Sequence, residues 1–76
     1  MKSCTVEATF TKEGQAHPRK LVWDGQALFI TEVGRHWTSD DGQHMLVKVP
    51  DGRTFELLYN GAHWQGKVVS APPNFA

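Results

Sequence analysis

Four short runs, Trp23-Asp24-Gly25-Gln26, Asp40-Asp41-Gly42, Pro50-Asp51-Gly52 and Asn60-Gly61, place glycine directly after Asp or Asn, and each is flanked by segments rich in β-branched and aromatic residues. Glycine adopts positive φ without steric cost and Asp or Asn tolerates it, so these runs read as hairpin turns and the segments between them as strands. The expected fold is all-β: a small antiparallel β-meander of about six strands curling into an SH3-like barrel.

Residues 4–11 alternate, with Val6, Ala8 and Phe10 on one side and Thr5, Glu7, Thr9 and Thr11 on the other, the pattern of a half-buried strand. Lys12 to Pro18 reads as the one long internal loop, and a hairpin of Lys20–Trp23 with Gln26 to about Ser39 follows it. The second arm changes apolar phase: Leu28 and Ile30 share one parity, Val33 and Trp37 the other. A bulge or bend between Thr31 and Arg35, pivoting on Gly34, reconciles the two.

Turn type fixes register in the remaining hairpins. Asp40-Asp41-Gly42 and Pro50-Asp51-Gly52 suit three-residue loops closed by a left-handed glycine, and Asn60-Gly61 suits a two-residue type I′ turn. These loops pair Ser39 with Gln43, Val49 with Arg53 and Tyr59 with Ala62. The inward rows then read Trp37, Met45, Leu57, Trp64 and Arg35, Val47, Phe55, Gly66. The opposite face reads Thr38, His44, Leu58, His63; His36, Leu46, Glu56, Gln65; and Lys48, Thr54, Lys67.

The 76 residues make one domain, with residues 1–70 forming the barrel and 71–76 a Pro-rich C-terminal tail. Eight Lys and Arg balance eight Asp and Glu, so no net field draws in a polyanion. The single Cys4 excludes an internal disulfide, and the chain shows neither a signal peptide nor a membrane-length apolar run; a cytoplasmic location is expected. No phosphate-binding loop, nucleophile elbow, HExxH or CxxC is present. Asp40, Asp41 and Asp51 sit where turns call for Asp, while Ser39 and Ser70 have no evident partner base. The expectation is a non-catalytic protein without cofactor. Three histidines on one face raise metal binding, but Leu58 separates His44 from His63, and His36 and His44 are only diagonal neighbours, so no metal site is expected.

Two function classes remain. In the first, a protein partner docks on the outer face through Leu46, Leu58, Glu56, His36, His44 and His63, or adds a strand to an open edge. In the alternative, Trp23 with Arg19 and Lys20, aided by Lys48 and Lys67, contacts nucleic acid. A weak homodimer through an open strand edge is compatible with both.

The run Pro18-Arg19-Lys20-Leu21-Val22-Trp23-Asp24-Gly25, with Val33, Trp37, Phe55-Glu56-Leu57 and Trp64, resembles a small bacterial domain of unknown function. Members of that family stand alone or are appended to the C-terminus of proteins related to Y-family, error-prone DNA polymerases. The likeness spans about residues 18–69 and rests on Trp, Gly and alternating apolar positions. It implies an accessory or adaptor role in bacteria and no catalytic residues. The family often carries arginines around the first turn, where this chain has Asp24 and Gln26. That departure weakens any implied DNA contact at this turn.

Overall fold

A computed structural model describes residues 1–70 and Phe75. Seven strands, β1 (Lys2–Phe10), β2 (Ala16–Trp23), β3 (Gln26–Phe29), β4 (Glu32–Ser39), β5 (Gly42–Lys48), β6 (Thr54–Tyr59) and β7 (Trp64–Val69), form one antiparallel sheet in the order β3-β2-β1-β7-β6-β5-β4. The sheet is two meanders, β1 to β3 and β4 to β7. They are joined by β1, whose first residues pair with β7 (Lys2–Gly66, Ser3–Gln65, Cys4–Trp64) and whose remainder pairs with β2. The fold is thus an all-β meander curled into a half-barrel around Leu21, Trp23, Leu28, Met45, Val47, Phe55 and Leu57.

Three irregularities produce the curl. Arg19 bulges out of the β1–β2 ladder, Gly34 and Arg35 bulge from β4 opposite Leu46, and Ile30-Thr31 forms a corner between β3 and β4. The corner is fastened by Ile30 N–H donating to the Arg19 carbonyl (3.1 Å) and Thr31 N–H to the Lys48 carbonyl (2.8 Å). Gly34 is a pivot, as the change of apolar phase predicts, but the additional corner divides the long arm and makes seven strands instead of six. β2 begins at Ala16, not Lys20, and runs through Pro18, which is fully buried. Proline is tolerated there because it lies beside the Arg19 bulge and beyond Lys20, where pairing with β3 stops.

The Pro50-Asp51-Gly52 loop has the expected form: Val49 N–H donates to the Arg53 carbonyl (3.2 Å), Gly52 N–H to that of Val49 (3.0 Å), and Gly52 has φ +94°. The Asp51 carboxylate accepts the backbone N–H (2.9 Å) and Nε–H (2.8 Å) of Arg53, which holds its pKa below the ordinary carboxylate value. Across this loop Met45 faces Leu57 and Val47 faces Phe55, as expected.

The other two turns correct the reading. Asp40 and Asp41 alone connect β4 to β5, pairing Ser39 with Gly42. Gly42 belongs to the strand: a Cβ there would collide with the Tyr59 carbonyl oxygen and lie 2.9 Å from Asn60 Cα, so close approach of the backbone at the end of β6, with φ +138°, requires the glycine. This one-residue difference reverses facing in β4. His36 stands opposite Met45 and Trp37 opposite His44, so Trp37 leaves the inward row and His36 leaves the outer face. Residues 60–63 form a four-residue loop, with Asn60 Oδ1 accepting the N–H groups of Ala62 (3.0 Å) and His63 (2.8 Å), and Tyr59 pairs with Trp64. A slip of two preserves facing but changes neighbours. Leu57 meets Gly66, Phe55 meets Val68, and the expected Leu57–Trp64 and Phe55–Gly66 pairs do not form.

Trp23 covers Gly66 instead. A Cβ at position 66 would stand 3.2 Å from the Trp23 ring and 3.1 Å from Leu57, and Trp23 also meets Phe55 edge-on at 5.1 Å. No helix among the described residues is long and apolar enough to cross a membrane. The tail reading falls on residues outside the described ones, except for Phe75, which packs at Gly34 of β4.

Leu57 is fully buried in the main cluster, whereas Leu58, 9% exposed, lies outside it. Leu57→Ala is expected to cost about 2–5 kcal/mol and Leu58→Ala less; equal losses in urea titrations would contradict this division of the two faces. Gly66→Ala is expected to destabilise the fold by about 1–3 kcal/mol, because both its neighbours are packed and have little room to retreat. A Gly66→Ala protein with an unchanged urea midpoint would show that Trp23 is free to move.

Candidate functional site

The residues expected to form one docking face divide among three places. Leu46, Leu58, Glu56 and His44 do share the outer face of β5 and β6. His36 points to the other side, and His63 is exposed in the β6–β7 loop. Leu46 and Leu58 are 6% and 9% exposed, so the leucines expected to meet a partner are already covered. Trp37 contributes to this face, its ring stacked on His44 with centroids 5.1 Å apart and planes 9° from parallel. Among the described residues no three His, Cys, Asp or Glu converge as metal ligands, and His36 and His44 lie on opposite faces.

His44 also supplies the base that the sequence did not reveal for Ser39. Its Nδ1 lies 3.0 Å from Glu56 Oε2 and its Nε2 2.6 Å from Ser39 Oγ. With Nδ1–H donated to the carboxylate, Nε2 accepts the serine hydroxyl proton, the hydrogen-bond order of a nucleophile, base and orienting carboxylate. Acyl transfer needs in addition a bound substrate and donors aimed at a developing oxyanion. Here the nearby amide, Asp41 N–H, is used on Ser39 Oγ itself at 3.1 Å, and neither of the clefts described below is lined by Ser39 or His44. The arrangement locks the Asp40-Asp41 turn to β6. Cys4 is no stronger a nucleophile, since burial pushes its thiol pKa up against the opposing effect of Lys2.

The nucleic-acid alternative places its stacking residue in the core: Trp23 is 9% exposed, with the Lys2 ammonium 4.3 Å from its ring centroid. Its cations are largely answered by carboxylates. Lys20 pairs with Glu7 (3.3 Å), Lys48 with Glu32 (3.8 Å), Lys67 with Glu56 (3.9 Å), Arg53 with Asp51 (2.8 Å), and Lys2 with Asp24. Arg19 is exposed at its bulge.

A groove runs along β4 where the half-barrel is open. One end is a cleft of about 220 Å³ lined by Thr11, Gln15, Ala16, His17, Val33, Gly34 and His36. The other, of about 370 Å³, is lined by Glu13, Gly14, Gln15, His36, Thr38 and Gln43. Gln15 and His36 line both, so the two clefts adjoin at His36, between the last strand of the described sheet and the β1–β2 loop. Polar bridges tie the two walls together at a fixed spacing: Gln43 Oε1 accepts Ala16 N–H (2.9 Å), Gln43 Nε2 donates to the Gly14 carbonyl (2.8 Å), and His36 Nε2 lies 3.3 Å from the Ala16 carbonyl.

No protein-family model matches the chain, and comparison with curated proteins and with solved structures finds no match either. Of the groove's residues, the sequence marks Gly34 as a pivot and His36 as a candidate contact, the latter on the wrong face. Gln15, Thr38 and Gln43 gave no motif; the signal was the phase break at Gly34, which marks where an edge strand bends away from its neighbours.

Removing the His44 ring would leave Glu56 without its Nδ1 donor and Ser39 without its acceptor. His44→Ala is expected to destabilise the domain by about 1–3 kcal/mol in urea titration, and a stability equal to the parent's would show that the relay does not hold the turn.

Proposed function

We propose that this chain is a non-catalytic protein-interaction module, an adaptor or accessory domain, that receives an extended segment of a partner protein along β4. The observation carrying this reading is the groove itself: β4 is the last strand of the described sheet, and the β1–β2 loop stands across from it as a second wall. An edge strand offers backbone donors and acceptors to an added strand, while side chains such as His36 and Thr38 select what lies over them. The proposed contact moves from the buried Leu46 and Leu58 to this edge. Pairing of five of the eight cations with carboxylates supports a protein partner over a polyanion, because a neutralised lysine releases few counterions. A cytoplasmic setting and the resemblance to polymerase-appended domains suit an adaptor.

Affinity capture from the native cell tests it. Thr38 is exposed and lines the groove, so Thr38→Trp is expected to abolish capture without lowering the urea midpoint, whereas Val68→Asp on the exposed surface of β7 should leave it intact. Capture that survives Thr38→Trp, together with salt-sensitive nucleic-acid binding lost on Arg19→Glu or Lys20→Glu, would replace this reading with the nucleic-acid one.

A further inference from the structure

Gly34 has no positive φ that would require a glycine, yet it is the most crowded glycine of the chain. A Cβ built there would collide with the Phe75 carbonyl oxygen and lie 2.6 Å from two carbons of the Phe75 ring. Two further features converge on Phe75. The bulge at Gly34 and Arg35 takes Arg35 out of register with β5, and its N–H donates to the Phe75 carbonyl. The Lys48 ammonium stands 4.5 Å from the Phe75 ring centroid, within cation–π range. Glu32 holds Lys48 in turn at 3.8 Å. Bare backbone for the ring, a donor for the carbonyl and a cation over the π face together make a receptor for one aromatic residue of an extended chain.

We propose that this seat is an aromatic-specific peptide site and that the chain's own Phe75 is its resident ligand. The inference rests on the edge-strand reading above and names what that edge selects. Gly34 lines the groove, so Phe75 sits at one end of the path a partner segment would take. The seated phenylalanine is an intramolecular competitor: a tethered ligand acts at an effective concentration of order millimolar, and a segment binding in trans must displace it. Affinity for that segment is reduced by the fraction of molecules in which the seat is open.

The test uses the full-length chain and a synthetic peptide of residues 70–76, followed by amide resonances. In Phe75→Ala protein the peptide is expected to shift the Gly34 and Arg35 amides saturably, and the same peptide with alanine in place of its phenylalanine is not. The parent protein should need about tenfold more peptide for half-saturation, as expected for a seat open in about a tenth of molecules. Gly34→Val in the Phe75→Ala background should abolish the shifts while the remaining spectrum stays folded. Equal affinity of the parent and the Phe75→Ala protein, or shifts that ignore the phenylalanine or Gly34→Val, would overturn the proposal. If partner capture is lost in Thr38→Trp but the peptide fails to bind, the seat is refuted and the edge reading stands; if capture ignores Thr38→Trp, the edge reading falls, whatever the peptide does.

Discussion

The Trp23 ring is the contact on which the two meanders depend. It leaves the first meander at the end of β2, lies over Gly66 of β7 and meets Phe55 of β6 edge-on. Cys4 approaches the same glycine from β1. A domain this small buries only about 60% of the surface its unfolded chain exposes, so one large ring spanning both halves contributes disproportionately to the core. Glycine at 66 is what lets the ring descend far enough to join the two meanders. The Lys2 ammonium then stands over the indole.

Edges are the cost of a half-barrel. β3 and β4 end the sheet and both derive from one continuous stretch, Gln26 to Ser39, folded at Ile30-Thr31. β3 is only four residues long and exposes Phe29, and shortness is one way an edge avoids pairing with another chain. β4 is twice as long and is managed differently, by its bulge, by the loop held across from it through Gln43, and by Phe75. The polar relay from Ser39 through His44 to Glu56 stiffens the turn at the end of the same strand. A stiff edge with a fixed opposite wall loses less conformational freedom on binding than a loose one.

The turns explain how far sequence alone reached. Pro50-Asp51-Gly52 was legible because proline, Asp and left-handed glycine each fit one position of a single turn type, and Met45–Leu57 and Val47–Phe55 followed from it. Asp40-Asp41-Gly42 looks the same in sequence, but its glycine answers to the backbone of Tyr59 and Asn60, which is distant along the chain and cannot be seen from local pattern. Asn60-Gly61 resembles a two-residue turn, yet the Asn60 side chain captures two amides and widens the loop. The all-β class, the Gly34 pivot and the β5–β6 part of the core, Met45, Val47, Phe55 and Leu57, were therefore readable, since they depend on periodicity and one clear turn. The groove and the seat for Phe75 were not, because they arise where distant segments meet.

Two aspartates set which side of β4 faces the groove. With Asp40 and Asp41 alone in the turn, the imidazole of His36 lines the opening and the indole of Trp37 is laid flat on His44 outside it. One additional residue between them would exchange the two, giving the opening a large apolar wall and the outer surface a bare imidazole. The chemistry of a whole strand is thus written in the length of its turn, and a single-codon insertion is the shortest evolutionary path from a polar recognition channel to a greasy one.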